Sequence, residues 1–190
     1  MLNEKQVVDF WKYMQREYGF TVVQKAGAVE MDAIAWTLDM MGIQDKGTFM
    51  KRYTTTLGMK VYVPFTRGKG NQKALLNQIM TCVHETEHVI QYTRNPVQFM
   101  GNYAISSAGR SHYEAEAYLT NMEIYYHFTG RVLVPGTLAN KLKAYGVGPA
   151  DIRVTRKQLM IASKVIGNGD VISNVSKKAI KYLKRNKIKI

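Results

Sequence analysis

The sequence has little of several features that define common protein classes. Its 190 residues include a single cysteine, Cys82, which excludes an internal disulfide framework and a cysteine-rich zinc ribbon and suits a reducing compartment. Four prolines and 15 glycines are too few for a collagen-like or low-complexity chain. No apolar run approaches the roughly 20 residues that a membrane-spanning helix needs. With 46% hydrophobic residues, the chain is expected to fold as a globular protein without a transmembrane segment.

The sequence also predicts no secretion signal. Residues 1–20 carry six charged side chains where a signal peptide would have an uninterrupted apolar stretch. We therefore expect a cytoplasmic location.

Acidic residues are few, and the resulting imbalance is concentrated at one end of the chain. The 27 basic and 14 acidic residues give a net charge of +13. Residues 151–190 hold 11 of the basic and two of the acidic residues, whereas residues 1–150 are nearly balanced. This distribution predicts one domain over residues 1–150 and a basic helical C-terminal extension over residues 151–190.

The basic extension has three interpretations. It forms a solvated amphipathic helix that packs on the domain, it gives nonspecific contact with nucleic acid, or it binds another polyanion such as an anionic membrane or a cell-wall polymer. The sequence indicates no oligomeric state.

Hydrophobic periodicity predicts a mostly helical α+β fold with a small β-sheet. Apolar residues recur at spacings of three and four in most of the chain, which is the pattern of one helical face. The predicted helices cover residues 4–18, 29–41, 72–92, 111–128, 135–146, 155–166 and 173–185. Between residues 48 and 65, β-branched and aromatic residues around Gly58 predict a strand, a turn and a second strand. After Pro96, we expect an irregular stretch up to about Gly109.

The residues that carry chemistry lie in the long predicted helix over residues 72–92. His84, Glu85 and His88 form a His-Glu-x-x-His pattern there. Positions i and i+4 share one helical face, so the two imidazoles can reach one ion while Glu85 points at a water bound to that ion. Two alternatives without catalysis are also open. The pattern is a solvated helix face on which Glu and His side chains interact with each other, or it is a metal site that has lost its catalytic activity.

A catalytic zinc ion takes three protein ligands and leaves one position for water, so a third ligand is needed. The downstream candidates are His112, Glu114, Glu116 and His127. Glu114 and Glu116 cannot easily serve together, because residues i and i+2 on a helix face nearly opposite ways.

Residues 84–91 and 113–118 resemble the core of a zincin metallopeptidase of the gluzincin type, such as occurs in small bacterial and phage proteins. In such families a Glu-x-x-Ala segment on the next helix supplies the third ligand. The resemblance therefore implies Glu114 as the ligand, with Ala117 at the matching offset and Glu116 in reserve. It spans roughly residues 48–128, and within it residues 60–65 resemble the edge strand that binds extended peptide. The metzincin extension is absent, because position 94 is Arg.

The resemblance implies a zinc-dependent metallopeptidase that hydrolyses a peptide or protein. Glu85 would be the general base, and a further donor would stabilise the oxyanion. Arg110, His112, Tyr113 and His127 are close in sequence to the predicted ligand helix, and we assign the role to His112 and Tyr113. The first alternative is a non-catalytic structural or binding protein, for instance a virion-associated component of a phage particle. The second is a nucleic-acid-binding protein that uses the basic tail.

Overall fold

The computed structural model describes residues 1–40 and 45–189 and confirms a mostly helical α+β fold. In chain order the elements are α1 (Glu4–Tyr18), β1 (Thr21–Gln24), α2 (Val29–Met40), α3 (Lys46–Arg52), β2 (Thr55–Leu57), β3 (Lys60–Val63), α4 (Gln72–Arg94), α5 (Pro96–Ile105), α6 (Ser107–Thr129), α7 (Pro135–Lys141), a 3-10 turn (Leu142–Tyr145), α8 (Pro149–Gly167) and α9 (Asn174–Arg185). None of the described helices is long and apolar enough to cross a membrane.

Local signals fix the ends of the helices that form the site. The Asn71 side chain accepts a hydrogen bond from the Ala74 amide and so caps the start of α4. Ser106 caps α6 in the same way, and Gly130 ends α6 in the left-handed conformation. The predicted end of the second helix at Met41 and Gly42 lies outside the described residues.

Within the described residues, the sheet has three strands in the order β1-β3-β2. β2 and β3 form an antiparallel hairpin around Gly58, which has φ of +60°, and β1 pairs with β3 in parallel. The predicted strand-turn-strand is confirmed for this hairpin, although residues 46–52 are helical. The expectation that residues 60–65 form an edge strand is wrong, because β1 pairs with the far side of β3. The edge strand beside α4 is β2.

Helix α5 corrects a second expectation, since residues 96–105 are helical and not irregular. Pro96 stands in the first turn, and the Asn95 side chain accepts a hydrogen bond from the Gln98 amide. At Gly109 in α6, a Cβ atom would lie 2.5 Å from the carbonyl oxygen of Asn102. Glycine therefore permits the close approach of α5 to α6, which brings Tyr103 toward the site.

In the part of the chain that the structure describes, two hydrophobic clusters lie on either side of α6. The first joins α1, β3, α4 and α9, and the second joins α6, α7 and α8. Val175, Ala179 and Leu183 of α9 are buried in the first cluster, which also contains Trp11 and Val83. Packing therefore does not divide at residue 150, because the segment predicted as an extension supplies part of both clusters.

Candidate metal centre

Three predicted metal ligands meet where α4 crosses α6. His84 and His88 are one turn apart on α4, and each turns its Nε2 atom toward Glu114 of α6. The distances are 3.5 Å from His84 Nε2 to Glu114 Oε2 and 3.4 Å from His88 Nε2 to Glu114 Oε1. All three side chains are buried, and Glu114 is 1% exposed. The buried trio could hold a metal ion.

The charges of His88 and Glu114 shift each other's pKa. Burial alone lowers the pKa of His88, but the Glu114 carboxylate outweighs it and raises that pKa to about 9. Burial likewise raises the pKa of Glu114, and the two imidazoles more than offset this and hold it well below its ordinary value. The Glu114 carboxylate and the imidazole of His88 therefore each favour the charged form of the other.

The donor set fits a metal ion. Glu114 Oε2 is buried and has no hydrogen-bond partner, which is unusual for a carboxylate oxygen away from solvent. A cation beside Oε2 and the two Nε2 atoms satisfies all three groups. Two imidazoles and one carboxylate form a ligand set used by catalytic zinc sites.

Hydrogen bonds to side chains outside the trio orient its imidazoles. The Nδ1 atoms of His84 and His88 lie 2.7 Å from Asn121 Oδ1 and 2.8 Å from Gln91 Oε1, respectively. Gln91 Nε2 donates to Glu116 Oε2 and to the Tyr113 carbonyl oxygen, so Gln91 Oε1 must be the atom that faces His88. His88 therefore donates from Nδ1, which in the neutral imidazole leaves the Nε2 lone pair for a metal.

Tyr103 of α5 orients the Glu114 carboxylate through a hydrogen bond. Its hydroxyl donates to Glu114 Oε1 at 2.6 Å, the oxygen nearer His88, which leaves Oε2 beside His84 Nε2 without a hydrogen-bond donor. Each of the three ligands is thus held by one polar side chain from outside the trio. Such support orients metal ligands and raises their affinity for the ion.

Glu85 follows the first ligand on α4 and is positioned by the sheet. The Thr56 hydroxyl of edge strand β2 donates to Glu85 Oε2 at 2.7 Å. Glu85 is 5% exposed and lines the same cleft as the trio. The carboxylate predicted to act as a base therefore lies beside the trio, between α4 and β2.

A cleft of about 370 Å³ leads to the trio. Its walls are mostly apolar and come from α2, α3, β2 and α5, and they include Ile34, Leu38, Phe49, Leu57, Phe99 and Met100. Tyr145, at the end of the 3-10 turn, also lines the cleft. Burial raises the pKa of Tyr145 well above its ordinary value, and the Glu114 carboxylate adds to the effect, so its hydroxyl remains a donor at neutral pH.

The structure does not bring the two predicted oxyanion residues to the trio. His112 is exposed and points to Glu116 on the opposite face of α6, two residues before Glu114. Tyr113 packs edge-on against Phe99, with the ring centroids 4.8 Å apart. The reason for this placement is helical geometry, because residues one or two positions from Glu114 are turned away from its face.

The other candidates have different roles. Glu116 is not at the trio and instead accepts from Gln91, which supports His88. Arg110 donates to the carbonyl oxygens of Tyr103 and Ala104 and so ties the end of α5 to α6. His127 lines a separate pocket beside α9.

Sequence reasoning missed Thr56, Gln91, Tyr103, Asn121 and Tyr145. Gln91 offered a signal, because it lies three residues after His88 on the same helix and such pairs are neighbours. Thr56, Tyr103 and Tyr145 come from other elements, and their contacts depend on the tertiary fold. No protein-family model, curated protein or solved structure matches the chain.

Proposed function

We propose that the protein is a zinc-dependent metallopeptidase. The observation that carries the proposal is the convergence of His84 Nε2, His88 Nε2 and the unpartnered Glu114 Oε2 at the bottom of a cleft that Glu85 also lines. A purely structural zinc site takes four protein ligands and needs no carboxylate beside it. Three ligands at a cleft favour catalysis over the alternative of a non-catalytic structural protein.

Amide hydrolysis at this site would combine a bound zinc ion with proton transfer by Glu85. Zinc bound to the trio would lower the pKa of a water toward 7 and polarise the scissile carbonyl group. Glu85 accepts a proton from the attacking water and passes it to the leaving amine. Thr56 holds Glu85 Oε2, which leaves the other carboxylate oxygen for this transfer.

Two further features suit a peptide substrate. The outer edge of β2 lines the cleft, and an extended peptide can add to such an edge through its main-chain hydrogen bonds. We assign the stabilisation of the oxyanion that develops on the scissile carbonyl to Tyr145, because Tyr145 lines the cleft together with Glu85 and the trio, whereas His112 and Tyr113 do not line it.

The proposal is tested by metal content and cleavage in matched variants. Untagged protein should contain about one zinc per chain and cleave members of a random peptide library. Glu85→Gln should keep zinc and lose cleavage, because an amide cannot accept the proton. His88→Ala should lose both. Glu87→Gln is the matched control, since Glu87 is on α4 but accepts from Ser173 on the other side of the helix.

Two results would contradict the proposal. Wild-type protein that stays without metal after reconstitution would remove the metal centre. Full cleavage by Glu85→Gln would show that another group is the base.

A second candidate function, polyanion binding through α9, is favoured by the exposed basic side chains on its outer face. Lys177, Lys181, Lys184 and Arg185 are exposed there, whereas the apolar face is buried. Because truncation would remove part of the core, the test is replacement of these four residues by Gln. A salt-dependent gel shift that this variant loses would support nucleic-acid binding.

A further inference from the structure

A second groove adjoins the apolar cleft at the residues proposed for catalysis. It has a volume of about 510 Å³ and is lined by His84 and Glu85, which the apolar cleft also contains. Tyr53 and Tyr145 line both cavities, and their rings meet edge-to-face with centroids 5.9 Å apart. The scissile bond of a substrate at Glu85 would therefore lie where the two cavities meet.

The two cavities differ in charge. The apolar cleft contains Arg110, whose guanidinium group is bound to carbonyl oxygens. The second groove contains Arg52, Lys141 and Lys143, and Glu85 is its one acidic residue among the residues that the structure describes. All three cations are exposed, and in residues 1–40 and 45–189 none of them forms an ion pair.

Amide side chains extend this groove. Asn121 and Asn140 lie along it, and Asn121 is the residue that orients His84. Lys141 holds its ammonium group 6.0 Å over the ring of Tyr118, which limits the positions that the charge can take. Three cations and two amide groups form a surface complementary to carboxylates.

We infer that the preferred substrate is a peptide with an apolar residue on one side of the scissile bond and an acidic residue on the other. The apolar side chain occupies the cleft formed by α2, α3, β2 and α5. The acidic side chain occupies the groove of Arg52, Lys141 and Lys143. The inference rests on the proposed peptidase function and adds a substrate class to it.

The test uses the zinc-loaded full chain and three sets of peptides. Every peptide has an apolar residue at its centre, and this residue is varied in the same way in each set. One set carries Glu on the amino side of the centre, one carries Glu on the carboxyl side, and one carries Gln on both sides. One of the Glu sets should be cleaved with a kcat/KM about tenfold above that of the Gln set. That ratio should shrink at high salt, because exposed charge interactions are screened.

Variants assign the preference to the groove. In Arg52→Gln combined with Lys143→Gln, the ratio should fall to about twofold or less. Lys164→Gln is the matched control, because Lys164 is exposed on α8 and lines neither cavity, and it should keep the tenfold ratio.

Each failure has a distinct meaning. Equal cleavage of the Glu and Gln sets by the wild type would overturn the inference and leave the peptidase function standing. Absence of cleavage of every set would overturn the peptidase function and the inference with it. A short DNA oligonucleotide that inhibits cleavage of the Gln set only when Arg52 and Lys143 are present would show that the groove binds nucleic acid, which also overturns the inference.

Discussion

Removal of the amides that orient the two imidazoles should weaken metal binding while every ligand stays in place. Gln91→Leu removes the acceptor 2.8 Å from His88 Nδ1, and Asn121→Leu removes the one 2.7 Å from His84 Nδ1. Loss of such a partner typically costs about 10- to 100-fold in metal affinity, or about 1.4–2.7 kcal/mol. We expect a loss of this size for each variant.

The two variants should differ in stability. Gln91 is buried and also donates to the Tyr113 carbonyl oxygen and to Glu116, so Gln91→Leu leaves two acceptors without that donor. This should lower the free energy of unfolding of the metal-free protein by about 1–3 kcal/mol. Asn121 is half-buried and contacts His84, so Asn121→Leu should affect the metal-free protein less.

The assay is a competition titration of zinc against a chromophoric chelator, combined with urea unfolding of the metal-free proteins. Asn77→Leu is the control, because Asn77 is an exposed amide on α4 away from the trio. Zinc affinities within twofold of wild type in both Gln91→Leu and Asn121→Leu would refute the assigned role of the two amides.

Two further predictions concern the fold around the site. Burial lowers the pKa of Lys25 to about 7, although Glu85 opposes this, and Lys25 Nζ donates to Phe49 O, Tyr53 O and Thr55 Oγ1. Below pH 7, Lys25 is charged in both the folded and the unfolded state, so the full cost of burying its charge lowers the stability of the fold. Above pH 10.5, the ordinary pKa of Lys25 and the one it has in the unfolded state, Lys25 is neutral in both states. Wild-type stability measured by urea unfolding should therefore rise relative to Lys25→Met between pH 7 and 10.5, by at most roughly 5 kcal/mol, and a flat difference would contradict the shift. Leu183→Ala should lower the free energy of unfolding by about 2–5 kcal/mol, because Leu183 is fully buried, and a change near zero would mean that α9 does not belong to the core.

The local features of the site could be predicted from the sequence alone. A helix over residues 72–92 follows from its apolar pattern, its Asn71 cap and the lack of Pro or Gly, and the four-residue spacing of His84 and His88 puts them on one face. Glu114 was predicted as the third ligand only because residues 113–118 resemble a zincin segment, and the structure places Glu114 opposite both imidazoles.

Contacts between distant segments could be decided only by the tertiary structure. Residues 96–105 contain Gly101 and have a weak periodic pattern, so their helix depends on packing of Phe99 and Tyr103 against α4 and α6. The position of β3 at the centre of the sheet depends on β1, a four-residue strand too short to recognise from its pattern. Helix α9 is strongly basic in composition, but its apolar stripe is buried in the core, and composition does not distinguish a docked helix from a free one. Spacing along a helix fixes which residues share a face, whereas the partners of that face depend on how the rest of the chain returns to it.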